Sequence, residues 1–336
     1  MAVLVTGGAG YIGSHMVHAL ADAGEDVVVL DNLSTGFRFL LPARVPLIVG
    51  STGDGELVKH VIHEHHVDSV IHFAASIVVP DSVRDPLGYY RNNTVNTCNL
   101  LDVAIANGVK RFIFSSTAAV YGNPERVPAR EDDVKVPISP YGASKLMSET
   151  MLRDAGFAHG LRYVVLRYFN VAGADPQGRT GQATPQATHL IKVACEAALG
   201  KRPKMDVFGT DYPTPDGTGV RDYIHVSDLA AAHSAALAYL RQGGESATFN
   251  CGYGRGASVM QVIAAVKRVS GVDFPVVIGP RREGDPAELI ADVSRIRATL
   301  PWTPRFQDLD TIVTHAFAWE RGLDARRTGT QGSSAA

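Results

Sequence analysis

Short apolar runs alternate with longer amphipathic stretches along the first half of the chain. Residues 3–6, 26–30, 47–49, 69–73 and 111–115 are β-branched or aromatic and show little polar alternation. That pattern suits strands buried on both faces. Between them, residues 14–23, 55–65, 92–106 and 139–153 are long enough, and patterned with the right period, for helices. Repeated strand–helix units of this kind predict a parallel sheet covered by helices on each side and joined by right-handed crossovers.

The texture changes after the apolar run 164–169. Residues 173–188 and 202–220 are rich in Gly, Pro, Thr, Gln and Asp and read as ordered loops around a site. Helical patterning returns at 189–200, 226–242 and 258–270, and 247–252 reads as one more central strand. The expected organisation is a nucleotide-binding domain over 1–170, joined by the returning strand near 247–252. A smaller, discontinuous substrate lobe follows over 171–325, and the small polar residues of 326–336 predict a flexible tail.

Composition narrows the classes of function. Hydrophobic residues make up 45% and charged residues 20% of the 336, the balance of an ordinary globular protein. A net charge of -2 gives no electrostatic reason to expect a nucleic acid or a membrane surface as partner. No apolar run approaches a membrane-spanning length. The chain opens directly on its first strand without a basic leader, which predicts a cytoplasmic protein. Three widely spaced cysteines, Cys98, Cys195 and Cys251, fit a reduced compartment. His60, His63, His65 and His66 spread over several helix faces with no completing carboxylate or thiol, so no metal site is expected.

Candidate chemistry begins where the first strand ends. Thr6-Gly7-Gly8-Ala9-Gly10-Tyr11-Ile12-Gly13 follows it at once and leads into an amphipathic stretch. Glycines there permit a tight turn and let backbone N–H groups approach a pyrophosphate at a helix N-terminus. Asp31 closes the second strand and is followed by Asn32 and Leu33 rather than by a cation. A carboxylate at that place accepts ribose hydroxyls and repels a 2′-phosphate, which favours NAD over NADP.

Ser139-Pro140-Tyr141-Gly142-Ala143-Ser144-Lys145 is the sharpest chemical signal. Ser139 suits an N-cap and Pro140 a first helical turn, so Tyr141 and Lys145 share a face, about 6 Å apart at Cβ. A free phenol ionises near pH 10, too high for a base at neutrality. A nearby ammonium and a cationic nicotinamide would both favour the phenolate. Phe112-Ile113-Phe114-Ser115-Ser116-Thr117 brings hydroxyls to the carboxyl edge of the sheet, where ligands bind in such folds.

These motifs, in this order, resemble the extended short-chain dehydrogenase/reductase family, and within it the UDP-hexose 4-epimerases. The likeness runs through 6–15, 31–33, 71–75, 89–93, 112–122, 139–149, 166–174, 208–229, 250–259 and 281–292. The resemblance implies an α/β fold, a doubly wound parallel (Rossmann) sheet with a smaller C-terminal α/β substrate lobe. It also implies NAD-dependent inversion of C4 of a UDP-sugar through a transient 4-keto sugar. Tyr141 would be the acid/base, assisted by Thr117, with Lys145 binding the nicotinamide ribose. Gly7, Gly10, Tyr11, Ile12, Gly13, Asp31, Asn32, Phe73, Ala74, Asn92, Ser115 and Phe169 would complete the NAD site. Asn170, His189, Leu190, Phe208, Arg221, Arg282 and Asp285 would hold the UDP-sugar. Phe208 offers a ring for uracil and the two arginines can fork onto phosphates.

The chain also departs from the family. Ile77 stands where many members have a lysine, Ser51 where an Asp often contacts adenine, and His189 where an Asn lies near the sugar. Leu289 occupies the position that gates acetamido sugars, so UDP-N-acetylhexosamine and UDP-pentose substrates stay open. A 4,6-dehydratase would need an acid and a base after Thr117, where Ala118 and Ala119 stand; a non-catalytic NAD sensor would be expected to lose Tyr141 and Lys145. By the same likeness the chain would form a homodimer through 92–106 and 139–153.

Overall fold

The computed structural model describes residues 1–185, 187–282 and 285–331. At its centre is a seven-stranded, wholly parallel sheet. Its strands, from edge to edge, are Ala247–Cys251, Arg162–Tyr168, Arg111–Thr117, Val67–His72, Ala2–Thr6, Val27–Asp31 and Leu47–Val49. The chain winds outward one way from the first strand, returns, and winds the other way from the fourth. Those two strands are neighbours, so their carboxyl ends border a topological switch point, the usual ligand crevice of such sheets.

Strand side chains alternate faces, and the sheet buries both. Val3, Val5, Val29, Ile71, Ile113 and Val164 belong to one core cluster, capped by helices Tyr11–Asp22 and Val226–Arg241. Leu4, Val28, Leu30, Val70, Phe112 and Phe114 belong to a second, capped by Gly55–Glu64, Asn96–Ala106 and Pro140–His159. This two-sided burial is why the strands read as continuous apolar runs. The first cluster continues without a break into the C-terminal half through Ile191, Val262, Ile263 and Ile312.

The C-terminal half packs helices Leu190–Ala198, Val259–Ser270 and Leu309–Gln331 on one another. Met205–Phe208 pairs with Val276–Gly279, and Val220–Arg221 lies between Ala257–Ser258 and Glu288–Leu289. Strand Tyr223–His225 pairs with Asn170–Ala172. None of these small pairings was visible in the sequence, because each joins distant short segments. Helix Val259–Ser270 carries a complete capping box from Ser258 and Gln261.

Two helical expectations change. The stretch expected as one helix over 92–106 is a π-turn, Tyr90–Val95, running into Asn96–Ala106. The flexible tail expected from 326 is helical through Gln331, since Leu309–Gln331 continues past Trp319 and Leu323, which are buried against Leu40 and Ala183; residues 332–336 lie outside the described residues. His60 pairs with Glu64 at 2.7 Å and His63 with Asn107 at 2.7 Å. Among the described residues no helix is long and apolar enough to cross a membrane.

Candidate active site

The glycine turn sits at the switch point. Gly7 adopts φ +69°, and a Cβ on it would lie 2.5 Å from the Ala74 nitrogen, so only glycine lets the first strand pass this close to Phe73 and Ala74 after the fourth. A Cβ on Gly13 would lie 2.2 Å from the Gly7 carbonyl oxygen. Gly10 is the N-cap of helix Tyr11–Asp22 and brings no side-chain acceptor to its leading N–H groups. Those donors and the helix dipole are suited to an anion. Tyr11 anchors the turn to the far lobe, its hydroxyl donating to the Gly173 carbonyl at 2.7 Å. Ile12 packs against the core below.

Asp31 is buried at the end of the second strand and accepts from the N–H groups of Ala9 at 2.9 Å and Leu33 at 2.8 Å. Burial raises its carboxyl despite those bonds. It therefore braces the glycine turn while still offering lone pairs to a ribose. Asn32 turns to solvent, where its Oδ1 accepts from Ser34 N. Phe73 lies against the His233 ring, centroids 4.8 Å apart. Asn92 donates to Ser76 Oγ at 2.9 Å and accepts from Asn96.

Helix Pro140–His159 starts as its sequence requires, with the Ser139 hydroxyl accepting from Gly142 N and Pro140 in the first turn. It packs on strand Arg111–Thr117 so that Tyr141 stands beside Thr117, whose hydroxyl favours the phenolate. Lys145 Nζ donates to the Ser115 carbonyl at 2.9 Å and stands 4.8 Å from the centre of the Phe114 ring. Both side chains are buried, 8% and 3% exposed, in the wall of the crevice. Burial dominates their ionisation. It pushes the Tyr141 phenol up to about 12, against the lowering effect of Thr117, and pulls the Lys145 ammonium down to about 7, against Glu149. Lys145, one turn along the helix, is expected from the sequence to acidify the phenol. In the structure Lys145 is turned to Ser115 and is not among the groups acting on Tyr141.

The residues expected to hold the UDP-sugar fall into three groups. Asn170, His189 and Leu190 line one cavity with Tyr11, Gly173 and Lys192. His189 lies 3.4 Å from Gln182 Nε2, and burial lowers its imidazole. Arg221 and Asp285 approach to 3.5 Å. Phe208 is 38% exposed, and the Arg282 guanidinium lies over its ring at 3.8 Å, on a face expected to meet a base. Phe169 is buried where the sheet passes into the second lobe. Leu289 pairs in register with Arg221.

Several neighbours escaped the sequence reading. Tyr168 Oη lies 2.7 Å from Ser115 Oγ and is raised in part by Tyr141, and Tyr89 acts on Tyr141 electrostatically. Glu149 and Arg167 form a buried pair behind Lys145, with Nη2–Oε2 2.6 Å. Only Glu149 left a sequence signal, four residues past Lys145 on the same helix face.

Comparison with known proteins agrees with this geometry. The family model of the NAD dependent epimerase/dehydratase family matches residues 3–252. The UDP-glucose 4-epimerase of Azospirillum brasilense is 61% identical over 335 residues, covering 99% of this chain and 96% of that protein. The crystal structure of UDP-glucose 4-epimerase from Brucella ovis in complex with NAD is similar with a TM-score of 0.92 at 44% identity, covering 94% of this chain and 97% of that one. The UDP-Glc/GlcNAc 4-epimerase of Campylobacter jejuni is similar with a TM-score of 0.84 at 49% identity, covering 95% and 98%.

Proposed function

Since the chain belongs to the NAD dependent epimerase/dehydratase family, we infer that its reaction is the NAD-dependent 4-epimerisation of a UDP-hexose, interconverting UDP-glucose and UDP-galactose. It is an isomerase. The observation that carries the residue assignment is the hydrogen bond from Lys145 Nζ to the Ser115 carbonyl at 2.9 Å, which seats the helix carrying Tyr141 against the strand that ends in Thr117, at the carboxyl edge of the sheet.

The residues present fit NAD. Gly7, Gly10 and Gly13 leave the space a pyrophosphate needs before the N-terminus of helix Tyr11–Asp22, and Asp31 supplies the buried acceptor for a ribose. Bound there, NAD would supply the acceptor and donor for the C4 hydride. Tyr141 takes the proton of the sugar 4-hydroxyl and gives it back, with the Thr117 hydroxyl bridging sugar and phenol. Loss of a proton from oxygen and a hydride from carbon leaves a 4-keto sugar. Inversion then requires the ketone to present its other face before both return. Lys145 orients the nicotinamide ribose. Arg221 and Arg282 hold the diphosphate, Phe208 the uracil, and Asn170, His189 and Leu190 the region of the sugar, with Asp285 completing the nucleoside pocket. Elimination has no catalysts beside Thr117, because Ala118 and Ala119 follow it.

The test is purified protein given UDP-galactose without added cofactor. UDP-glucose is the expected product, and its absence from folded, NAD-containing protein would overturn the reading. A second substrate class stays open at Leu289, neither the bulky tyrosine nor the small cysteine or serine of relatives, which lies in register with Arg221. Turnover of UDP-N-acetylglucosamine measures it.

A second copy of the chain is the proposed partner. Val95 and Met147, 58% and 46% exposed, lie on the two stretches expected to pair, which pack side by side. A reducing cytoplasm suits Cys195 and Cys251, both buried as free thiols.

A further inference from the structure

Glu149 has no part in the reaction as drawn, yet it is tied into the catalytic wall. Tyr141, Lys145 and Glu149 follow at four-residue steps along one face of helix Pro140–His159. Three consecutive residues of strand Arg111–Thr117 hold them. The Ser115 carbonyl takes Lys145, the Ser116 hydroxyl donates to Glu149 Oε1 at 2.5 Å, and Thr117 stands beside Tyr141. Arg167, beside Ser116 in the next strand, forks onto the same carboxylate, Nε–Oε1 2.9 Å and Nη2–Oε2 2.6 Å. The pair is buried, with side chains 5% and 7% exposed. A buried ion pair is seldom more stabilising than apolar packing of the same volume. Its place one turn behind Lys145 therefore calls for another reason.

The charged and titratable surroundings supply one. Lys145 is faced by His72, which is held neutral because burial pushes it down to about 3, and by Glu149. Glu149 is faced by Arg167, Lys135 and Tyr163, and beyond Arg167 stand Tyr121 and Glu131, the latter 3.7 Å from Arg295. Glu149 is the carboxylate that favours the charged form of Lys145 against burial.

We propose that Glu149 is a positioning residue for the 4-epimerisation: clamped by Ser116 and Arg167, it sets the seating of the helix that presents Tyr141 and Lys145, and its carboxylate supports the Lys145 ammonium from one turn away. This rests on the epimerase reading above. Removing an anion beside a cation makes the cation lose its proton more readily. In Glu149→Gln, which keeps the shape and the acceptor for Ser116, the alkaline limb of kcat is expected to move to lower pH by about one unit. The pH above which NAD is lost on gel filtration moves the same way, a readout independent of turnover. Glu149→Asp restores both positions even with reduced kcat. A Glu149→Gln protein that melts cooperatively and superposes on the parent in both profiles overturns the proposal. Ser116→Ala, which keeps the ion pair, is expected to lower kcat several-fold with the alkaline limb in place; unchanged kcat overturns the seating role, and it remains the test if Glu149→Gln does not fold. Failure of the unaltered protein to turn over UDP-galactose would sink the functional reading instead, with the NAD-retention profiles still reporting on Glu149.

Discussion

Tyr141 is buried so deeply that its own surroundings oppose the phenolate the chemistry needs, holding the group near 12. A cationic nicotinamide placed beside it favours the ionised ring. The ultraviolet phenolate signal that is lost in Tyr141→Phe is therefore expected to titrate at lower pH in NAD-loaded than in NAD-stripped protein, and equal midpoints would exclude this account. The same substitution is expected to lower turnover by roughly 10³, the middle of the range for a positioned acid/base, with the melting temperature little changed. Tyr141 and Lys145 were legible together as one helix face. The direction in which burial moves Tyr141 was not, because desolvation depends on what covers a side chain and not on its neighbours in sequence.

Between elements, the deciding contacts are close approaches and buried charges. At the glycine turn, Gly13→Ala places a methyl group 2.2 Å from the Gly7 carbonyl. Loss of co-purifying NAD, read from the absorbance of released nucleotide, is expected in a protein that still folds. Helix Leu190–Ala198 is joined to Leu309–Gln331 by Lys192, 2.6 Å from Glu320 and 3.2 Å from Glu196, with Lys201 at 2.8 Å from Glu320. Lys192 and Glu320 are 7% and 4% exposed at the side chain. Glu320→Ala strands the amines and is expected to cost about 3 kcal/mol in urea denaturation. Asp175 ties the loop after Asn170–Ala172 to helix Tyr11–Asp22 through Arg179, which also bonds Asp22 at 2.7 Å. Burial opposes ionisation of Asp175, but bonds from the Arg179 guanidinium and backbone outweigh it and leave the carboxyl below its ordinary value. A depressed folded-state value means stability that is complete above the ordinary carboxylate pKa and is lost as pH falls through the folded one. The stability gap between parent and Asp175→Asn is therefore expected to be constant at neutral pH and to close in acid melts below the ordinary value.

At the scale of the whole molecule, the exposed Val95 and Met147 set the expectation for assembly: charged residues at both positions are expected to convert a dimer to a monomer in light scattering while NAD remains bound. A monomeric parent would refute it. The central sheet and the elements around the glycine turn and Tyr141 were legible in the sequence alone, because their determinants are local. Strand and helix periods, the turn glycines and the Ser139 cap act within a few residues. Other features depend on chain segments far apart and were settled only by folding. Met205–Phe208 becomes a strand only when Val276–Gly279 reaches it, and helix Leu309–Gln331 docks where its Trp319 and Leu323 find Leu40. Arg282 lies over Phe208, and Arg167 meets Glu149. Local preference writes itself into neighbouring residues, whereas burial, charge pairing and ionisation are properties of whatever the remainder of the chain brings alongside.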